Sequence, residues 1–332
     1  MVKRLSLVFI SLSLVLLSCG KSNNAAGRTG TITGYVYLSD TIPAPGVHVY
    51  AKSAPQYGGY TNGNGFFSVD VPEGQEIIVI DGGLFKKELT VELSEGDVKE
   101  LYPNSHPLVL RDSTNYKIAV MMGEFDSIEA IFDQIGIKRI TGPDDTASGY
   151  IVYSPDHFPR DLETLKKFNL LAFNCGPQGP GINAATLKDY MEEGGNIYAS
   201  DWQYWVLDSL SLKDHKVFLY DDNGDYATGS RGEIRAEVVD SILRFQLGKD
   251  SVTVNFDHDG WVIIDSVTLD IDVLLRGKVS ELGDKPAPLA IMTVPFNNGG
   301  MLLYTSFHYE AQSTNEDMLN ILRMYLLRIG QH

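Results

Sequence analysis

Cysteine is scarce in this chain, since only Cys19 and Cys175 occur among 332 residues. A domain held together by several disulfides is therefore excluded. Basic residues are also few: 27 Lys and Arg against 43 Asp and Glu give a formal net charge of −16. A chain with this charge is not expected to bind nucleic acid through a basic face. The sequence also lacks a phosphate-binding glycine loop and the Cys/His spacings of zinc sites, so no cofactor is expected.

Long hydrophobic runs are confined to the amino terminus. There, two basic residues precede an apolar run over 5–17, and Ser18 and Cys19 follow it. The run is short for a membrane span, and the basic start with a small residue before the cut is typical of an export signal. The ending Leu-Leu-Ser-Cys resembles the lipobox of bacterial lipoproteins. The resemblance implies removal of residues 1–18 and a lipid on Cys19; the alternative is a soluble secreted protein with a chance cysteine.

Lipidation of Cys19 would place the chain in the cell envelope, with the membrane as its first partner. Cys175 would then have no cysteine in its own chain with which to form a disulfide. Gly20 stands where an Asp commonly retains lipoproteins in an inner membrane, which favours the outer membrane in a cell that has two. The small polar residues over 19–29 predict a flexible tether.

Residues 30–112 alternate short β segments with Gly, Pro and Asn turns and show no helical period. This pattern predicts a small β-sandwich. Four motifs occur in the order found in the carboxypeptidase regulatory-like (transthyretin-like) family, and the segment resembles that family: Gly34-x-Val36, Pro45-Gly46-Val47-x-Val49, Thr61-x-x-x-Gly65-x-Phe67-x-Val69 and Val71-Pro72-x-Gly74. The resemblance implies the fold and an accessory role, and no catalytic residues come with it.

Residues 113–332 change to an alternation of strands and helices, beginning with a buried strand near 116–122. Such alternation predicts a doubly wound, mostly parallel α/β domain. A β-rich insertion is expected at about 205–298. The predicted fold class is thus all-β followed by α/β.

Three segments of this second part resemble the class I glutamine amidotransferase-like superfamily, close to its ThuA-like and flavodoxin-like branches. They are 170–176, 187–197 and 306–310. By resemblance, the first is the turn that supplies oxyanion contacts. The second leads to the nucleophile elbow. The third, a Phe-His-x-Glu element, carries the base and its orienting carboxylate.

The expected elbow departs from the pattern of active amidotransferases, because Asp201 stands where they carry cysteine. An aspartate cannot perform thiolate acyl transfer, and Ser200 is one position out of register. Glutaminase activity is therefore not expected. Cys175 falls in the implied oxyanion turn, where an unpaired cysteine is more often a small buried hydrophobe than a nucleophile.

Two interpretations of the remaining polar residues stay open. If His308 and Glu310 lie on one strand, their side chains share a face, and with Asp201 they would form a hydrolytic or metal-assisted centre. Glu124 and Cys175 also follow predicted strands and could be accessory to it, since doubly wound folds place their sites at that edge of the sheet. The alternative is a polar network retained for stability in a fold that lost its nucleophile.

An acidic turn provides a weak calcium candidate in Asp221, Asn223 and Asp225. A calcium loop needs Gly at its sixth position and Glu at its twelfth, where this chain has Tyr226 and Gly232. A solvated acidic turn is the preferred interpretation, and no metal is assigned.

The sequence as a whole predicts a membrane-anchored envelope protein with a non-catalytic binding or scaffolding role. An envelope protein or a carbohydrate is the expected ligand. The alternative is a hydrolase that uses Asp201, His308 and Glu310.

Overall fold

The computed structural model describes residues 28–113, 115–210, 226–268, 270–296 and 299–329. Cys19 and the acidic turn of Asp221, Asn223 and Asp225 lie outside these ranges. Among the described residues, no helix is long and apolar enough to cross a membrane.

The amino-terminal part is a β-sandwich built from a five-stranded and a four-stranded sheet. Its longest strand, β1 (Thr29–Ser39), alternates buried with half-buried residues, as expected for a strand with one face on a core. It pairs antiparallel with β2 and β5 and parallel with β8 and β9, while the second sheet has the order β4-β3-β6-β7. The other strands are β2 (Ile42–Pro43), β3 (His48–Ala51), β4 (Ala54–Tyr60), β5 (Phe66–Pro72), β6 (Gly74–Gly82), β7 (Phe85–Leu93), β8 (Val98–Tyr102) and β9 (Leu108–Val109).

The second part is an α/β domain around five parallel strands. They are β10 (Lys117–Met121), β11 (Gly149–Tyr153), β12 (Leu170–Phe173), β13 (Asn196–Ser200) and β20 (Leu302–Thr305). Their spatial order is β11-β10-β12-β13-β20, and every neighbouring pair is parallel. All residues of β10, β12 and β13 are buried, because helices cover both faces. This is the doubly wound order 2-1-3-4-5.

The described residues contain seven α-helices. They are α1 (Leu110–Ser113), α2 (Ile128–Gln134), α3 (Leu162–Leu165), α4 (Ala184–Glu192), α5 (Trp205–Ser209), α6 (Ser241–Leu247) and α7 (Glu316–Arg328). Asparagine side chains cap the two longest: Asn183 accepts backbone N–H groups at the start of α4, and Asn315 does so for α7. Gly194, with φ +93°, then turns the chain into β13.

The chain between β13 and β20 forms the β-rich insertion and extends the sheet. Its strands are β14 (Thr228–Gly229), β15 (Gly232–Val238), β16 (Ser251–Phe256), β17 (Trp261–Val262), β18 (Asp272–Val279) and β19 (Lys285–Thr293). β19 pairs antiparallel with β20, and β18, β15 and β16 follow outward to complete a nine-stranded sheet. The predicted fold class, a β-sandwich followed by a doubly wound α/β domain with a β-rich insertion, is confirmed.

Candidate functional site

The carboxyl ends of the parallel strands bring together three side chains that are far apart in sequence. Cys175 follows β12, Asp201 follows β13 and His308 follows β20. One ligand-capable atom from each lies within 4.8 Å of the others, and the exposed fraction of each residue is 3% or less. The site is therefore a buried polar cluster at the edge where doubly wound folds place their chemistry.

Asp201 occupies a sharp turn between β13 and a short 3₁₀ helix (Asp201–Tyr204). Its φ of +45° is rare for a residue with a side chain and is typical of a nucleophile elbow. Three contacts hold it there. The Val262 backbone N–H donates to Asp201 Oδ1 at 2.7 Å, the Tyr304 hydroxyl donates to its carbonyl oxygen at 2.7 Å, and Cys175 Sγ donates to Oδ2 at 3.5 Å.

His308 lies between two carboxylates. Its Nδ1 is 2.9 Å from Asp257 Oδ1, and its Nε2 is 3.4 Å from Asp201 Oδ2. The second approach is an ion-pair contact, because Nε2 has no hydrogen-bond partner among the described residues. Burial alone would lower the pKa of His308, but the two carboxylates outweigh it and raise that pKa to about 12.

The two carboxylates respond differently to their surroundings. Burial raises the pKa of Asp201, and the contact with His308 opposes this only in part. Asp257 is less buried, so pairing with His308 outweighs desolvation and lowers its pKa. Asp257 is therefore the more readily ionised of the two carboxyl groups.

Cys175 is fully buried, and burial raises the pKa of its thiol to about 11. Its backbone N–H donates to Ser200 Oγ at 3.0 Å. Its carbonyl oxygen accepts the backbone N–H groups of Glu124 and Phe125. Burial and the nearby Asp201 carboxylate both disfavour the thiolate, and they outweigh the contact with His308 that favours it.

Asp126 is a further buried carboxyl, 2% exposed, behind the cluster. Its Oδ2 accepts the Ser200 hydroxyl at 2.7 Å, and its Oδ1 accepts the backbone N–H groups of Ser127 and Glu310 at 2.9 and 3.3 Å. Desolvation raises its pKa despite the positive field of His308. Asp126 directly precedes Ser127, the N-cap residue of α2.

The prediction that Glu310 shares a strand face with His308 is wrong, because β20 ends at Thr305 and both residues lie beyond it. Glu310 begins a 3₁₀ turn (Glu310–Gln312), and its side chain is exposed. Asp257 occupies the orienting position at His308 Nδ1 instead. The side chain of Glu124 is also exposed, and this residue meets the cluster through its backbone.

Sequence reasoning missed Asp257. It follows β16 inside the insertion, in the turn Asp-His-Asp-Gly, and its spacing from His308 resembles no motif. Gln312 fixes the two segments together, since its Nε2 donates to the carbonyl oxygens of Asn255 and His308 at 2.7 and 3.1 Å.

Three large apolar side chains, which we call the edge surface, are exposed at the same end of the sheet: Met122, Phe125 and Trp202. The segment 257–260 lies between the last two. The Phe125 ring meets the His258 ring edge-on at 5.6 Å, and Trp202 Nε1 donates to the Gly260 carbonyl oxygen at 3.0 Å. Exposed apolar groups clustered at a functional edge are typical of binding surfaces.

Neither a family model nor a curated protein matches this chain. Among solved structures, a ThuA-like protein from Bacteroides uniformis is similar over 64% of this chain and 91% of its own, with 13% identity and a TM-score of 0.44. A ThuA-like protein from Parabacteroides merdae is similar over 64% of this chain and 88% of its own, with 12% identity and a TM-score of 0.40. The glutaminase domain of Trypanosoma brucei CTPS is similar over 64% of this chain and 94% of its own, with 9% identity and a TM-score of 0.43. Likenesses this weak assign no activity, and the fold class rests on the strand order and directions above.

Proposed function

We propose that the protein is a lipid-anchored module of the bacterial cell envelope whose α/β domain is amidotransferase-like in fold and binds rather than catalyses. One observation carries the proposal: the elbow residue, Asp201, is buried and engaged at both carboxylate oxygens. A nucleophile at an elbow must be free to reach a substrate carbonyl. Asp201 instead accepts the Val262 backbone N–H, and so fixes the insertion to the parallel sheet.

The edge surface supports a binding role. Trp202 and Phe125 offer aromatic faces beside a turn that closes over the polar cluster. Aromatic side chains supply large contact area with few rotamers to order, and they are enriched where proteins and ligands meet. A carbohydrate or an envelope protein is the ligand class that we propose. Nucleic acid is disfavoured by the charge of −16.

The lipobox-like ending at Cys19 supports the location. A lipid there, followed by a polar tether over 19–29, would hold both folded parts at a membrane surface. The amino-terminal β-sandwich resembles accessory modules, and its position next to the tether fits a spacing or docking role.

A hydrolase is the competing function, and one arrangement favours it. His308 has a carboxylate at Nδ1 and lies close to the Cys175 thiol, in the order of a Cys–His–Asp triad. Two facts weigh against it. The thiol is fully buried with its pKa raised to about 11, and the Asp201 carboxylate lies 3.5 Å from Sγ.

Alkylation of Cys175 tests the two functions. We expect iodoacetamide to modify Cys175 in the folded protein roughly 100-fold more slowly than in the protein unfolded in urea, because the buried thiol is neither accessible nor ionised. The rate is measured by mass spectrometry of the peptide that contains Cys175. With Cys19 lipidated, no other free thiol competes.

The matching activity test compares the wild type with Cys175→Ala and His308→Gln on glutamine and on ester and amide substrates. Equal background rates are expected from all three. Rapid alkylation in the folded state, together with a turnover lost in both variants, would establish the hydrolase and refute the non-catalytic role.

Replacement of the edge surface tests the binding role. We expect the double variant Phe125→Ala, Trp202→Ala to recover roughly 10-fold less envelope protein or polysaccharide than the wild type from a detergent extract, since aromatic anchors dominate interface free energy. Phe245→Ala is the matched control, because this side chain is 85% exposed on α6 in the insertion. Equal recovery by the double variant and the wild type would show that the edge surface is not the binding site.

A further inference from the structure

We propose that Cys175, Asp201 and His308 bind one divalent transition cation with the ligand preferences of zinc, and that this ion joins the ends of three strands of the parallel sheet. The spacing of these residues in sequence resembles no metal motif. The fold brings them together at the ends of β12, β13 and β20.

The distances between the ligand atoms support the site. Zinc lies about 2.3 Å from thiolate sulfur and about 2.0 Å from carboxylate oxygen or imidazole nitrogen, so tetrahedral geometry puts sulfur and oxygen about 3.5 Å apart and nitrogen and oxygen about 3.3 Å apart. The observed separations are 3.5 Å from Cys175 Sγ to Asp201 Oδ2 and 3.4 Å from His308 Nε2 to the same oxygen. All three atoms lie within 4.8 Å of one another.

The imidazole of His308 is oriented as a metal ligand. Its Nδ1 is held by Asp257 at 2.9 Å, which leaves Nε2 directed at Asp201 and Cys175. Histidines that bind metals are commonly fixed in this way by a carboxylate on the other ring nitrogen. Nε2 itself is buried and has no hydrogen-bond partner among the described residues, so this nitrogen is available to bind a metal ion.

The charge of the cluster favours a cation. Asp126, Asp201 and Asp257 lie around the His308 imidazole, and Asp257 also has the His258 imidazole 3.4 Å away. Among the described residues, no lysine or arginine forms an ion pair with any of the three carboxyl groups. Buried carboxylates are costly unless they are paired or coordinate a metal. A divalent ion would supply the charge that the side chains lack.

The donor set selects the kind of ion and its role. A thiolate with an imidazole favours zinc and similar transition metals over calcium or magnesium, which take oxygen ligands. All three ligands are buried, and three protein ligands leave the fourth tetrahedral position to a water molecule. A second group of Asp257, His258 and His308 is more exposed and would use a carboxylate already bonded to His308 Nδ1, so it is the poorer site.

Cobalt titration tests the proposal. The full chain is purified in detergent, treated with a chelator and titrated with Co²⁺, whose thiolate charge-transfer absorption reports a sulfur ligand. We expect one Co²⁺ per chain with this absorption, displacement by Zn²⁺, and a rise of about 5 °C in the melting temperature at saturating metal. Cys175→Ala should lose the absorption, and His308→Ala should weaken metal binding by at least about 100-fold, since each removes a direct ligand.

Two further variants separate a ligand from a structural residue. Asp257→Asn keeps all three ligands and should weaken binding about 10–100-fold while the thiolate absorption survives. Cys19→Ala removes the other cysteine and should bind as the wild type does. A folded wild type with no absorption and no change in melting temperature would overturn the proposal, as would an absorption that persists in Cys175→Ala.

Discussion

Replacing His308 with alanine is expected to destabilise the α/β domain by about 3–5 kcal/mol, because it removes the imidazole that pairs with the buried Asp201 carboxylate and one of the two imidazoles beside Asp257. The Asp201 side chain is nearly inaccessible to water, and His308 contacts the carboxylates of both Asp201 and Asp257. The loss includes a cavity where the ring stood. It also removes one contact between the insertion and the segment after β20, the one that Asp257 and His308 form.

The free energy of unfolding is measured in urea with a chelator present, so that a bound ion does not contribute. His106→Ala is the matched control, since His106 is exposed on the β-sandwich, and it should change stability by less than about 0.5 kcal/mol. A double variant, His308→Ala with Asp201→Asn, should recover part of the loss by removing one unpaired charge. A loss below about 1 kcal/mol for His308→Ala would show that the pairs contribute little.

The fold was predictable where local pattern and tertiary environment agree. The residues of β10, β12 and β13 are apolar almost throughout and bounded by turns, so burial on both faces follows from their amino-acid pattern alone. The β-sandwich was predictable because its strands have only one face on a core. Its strand β1 alternates buried and half-buried residues with a period of two.

The site was only partly predictable. Asp201 and His308 follow strands of a parallel sheet, and parallel strands end at one edge, so their proximity follows from topology. Glu310 was wrongly predicted to lie on the same strand as His308, because the pattern of residues in a single sequence does not show where β20 stops pairing with its neighbours. Asp257 could not be found at all, since its approach to His308 depends on how β15, β16 and β18 pack as a unit.

The position of Cys175 was predictable from the sequence, but its contact with Asp201 was not. Its position after β12 indicated a turn at the sheet edge, and burial of an unpaired cysteine is ordinary. Its distance of 3.5 Å from Asp201 Oδ2 depends on the left-handed backbone of Asp201, which local sequence did not indicate. The left-handed turn at Asp201 is thus the feature that brings a carboxylate to the thiol.

Under the proposed lipid anchor, replacing Cys19 with alanine is expected to abolish labelling of the protein by radioactive palmitate, because the anchor requires this residue as the thiol for the lipid and as the boundary for removal of residues 1–18. Each methylene of an acyl chain contributes about 0.8 kcal/mol to membrane binding, so loss of the lipid removes the largest single membrane interaction that the chain offers. Labelled cells are fractionated, the protein is recovered by antibody, and its mass shows whether the leader was removed. Cys175→Ala is the matched control and should be labelled and processed as the wild type is, since Cys175 is buried. Palmitate retained by Cys19→Ala would place the lipid elsewhere and contradict the anchor, and unlabelled wild type would make the protein a secreted one.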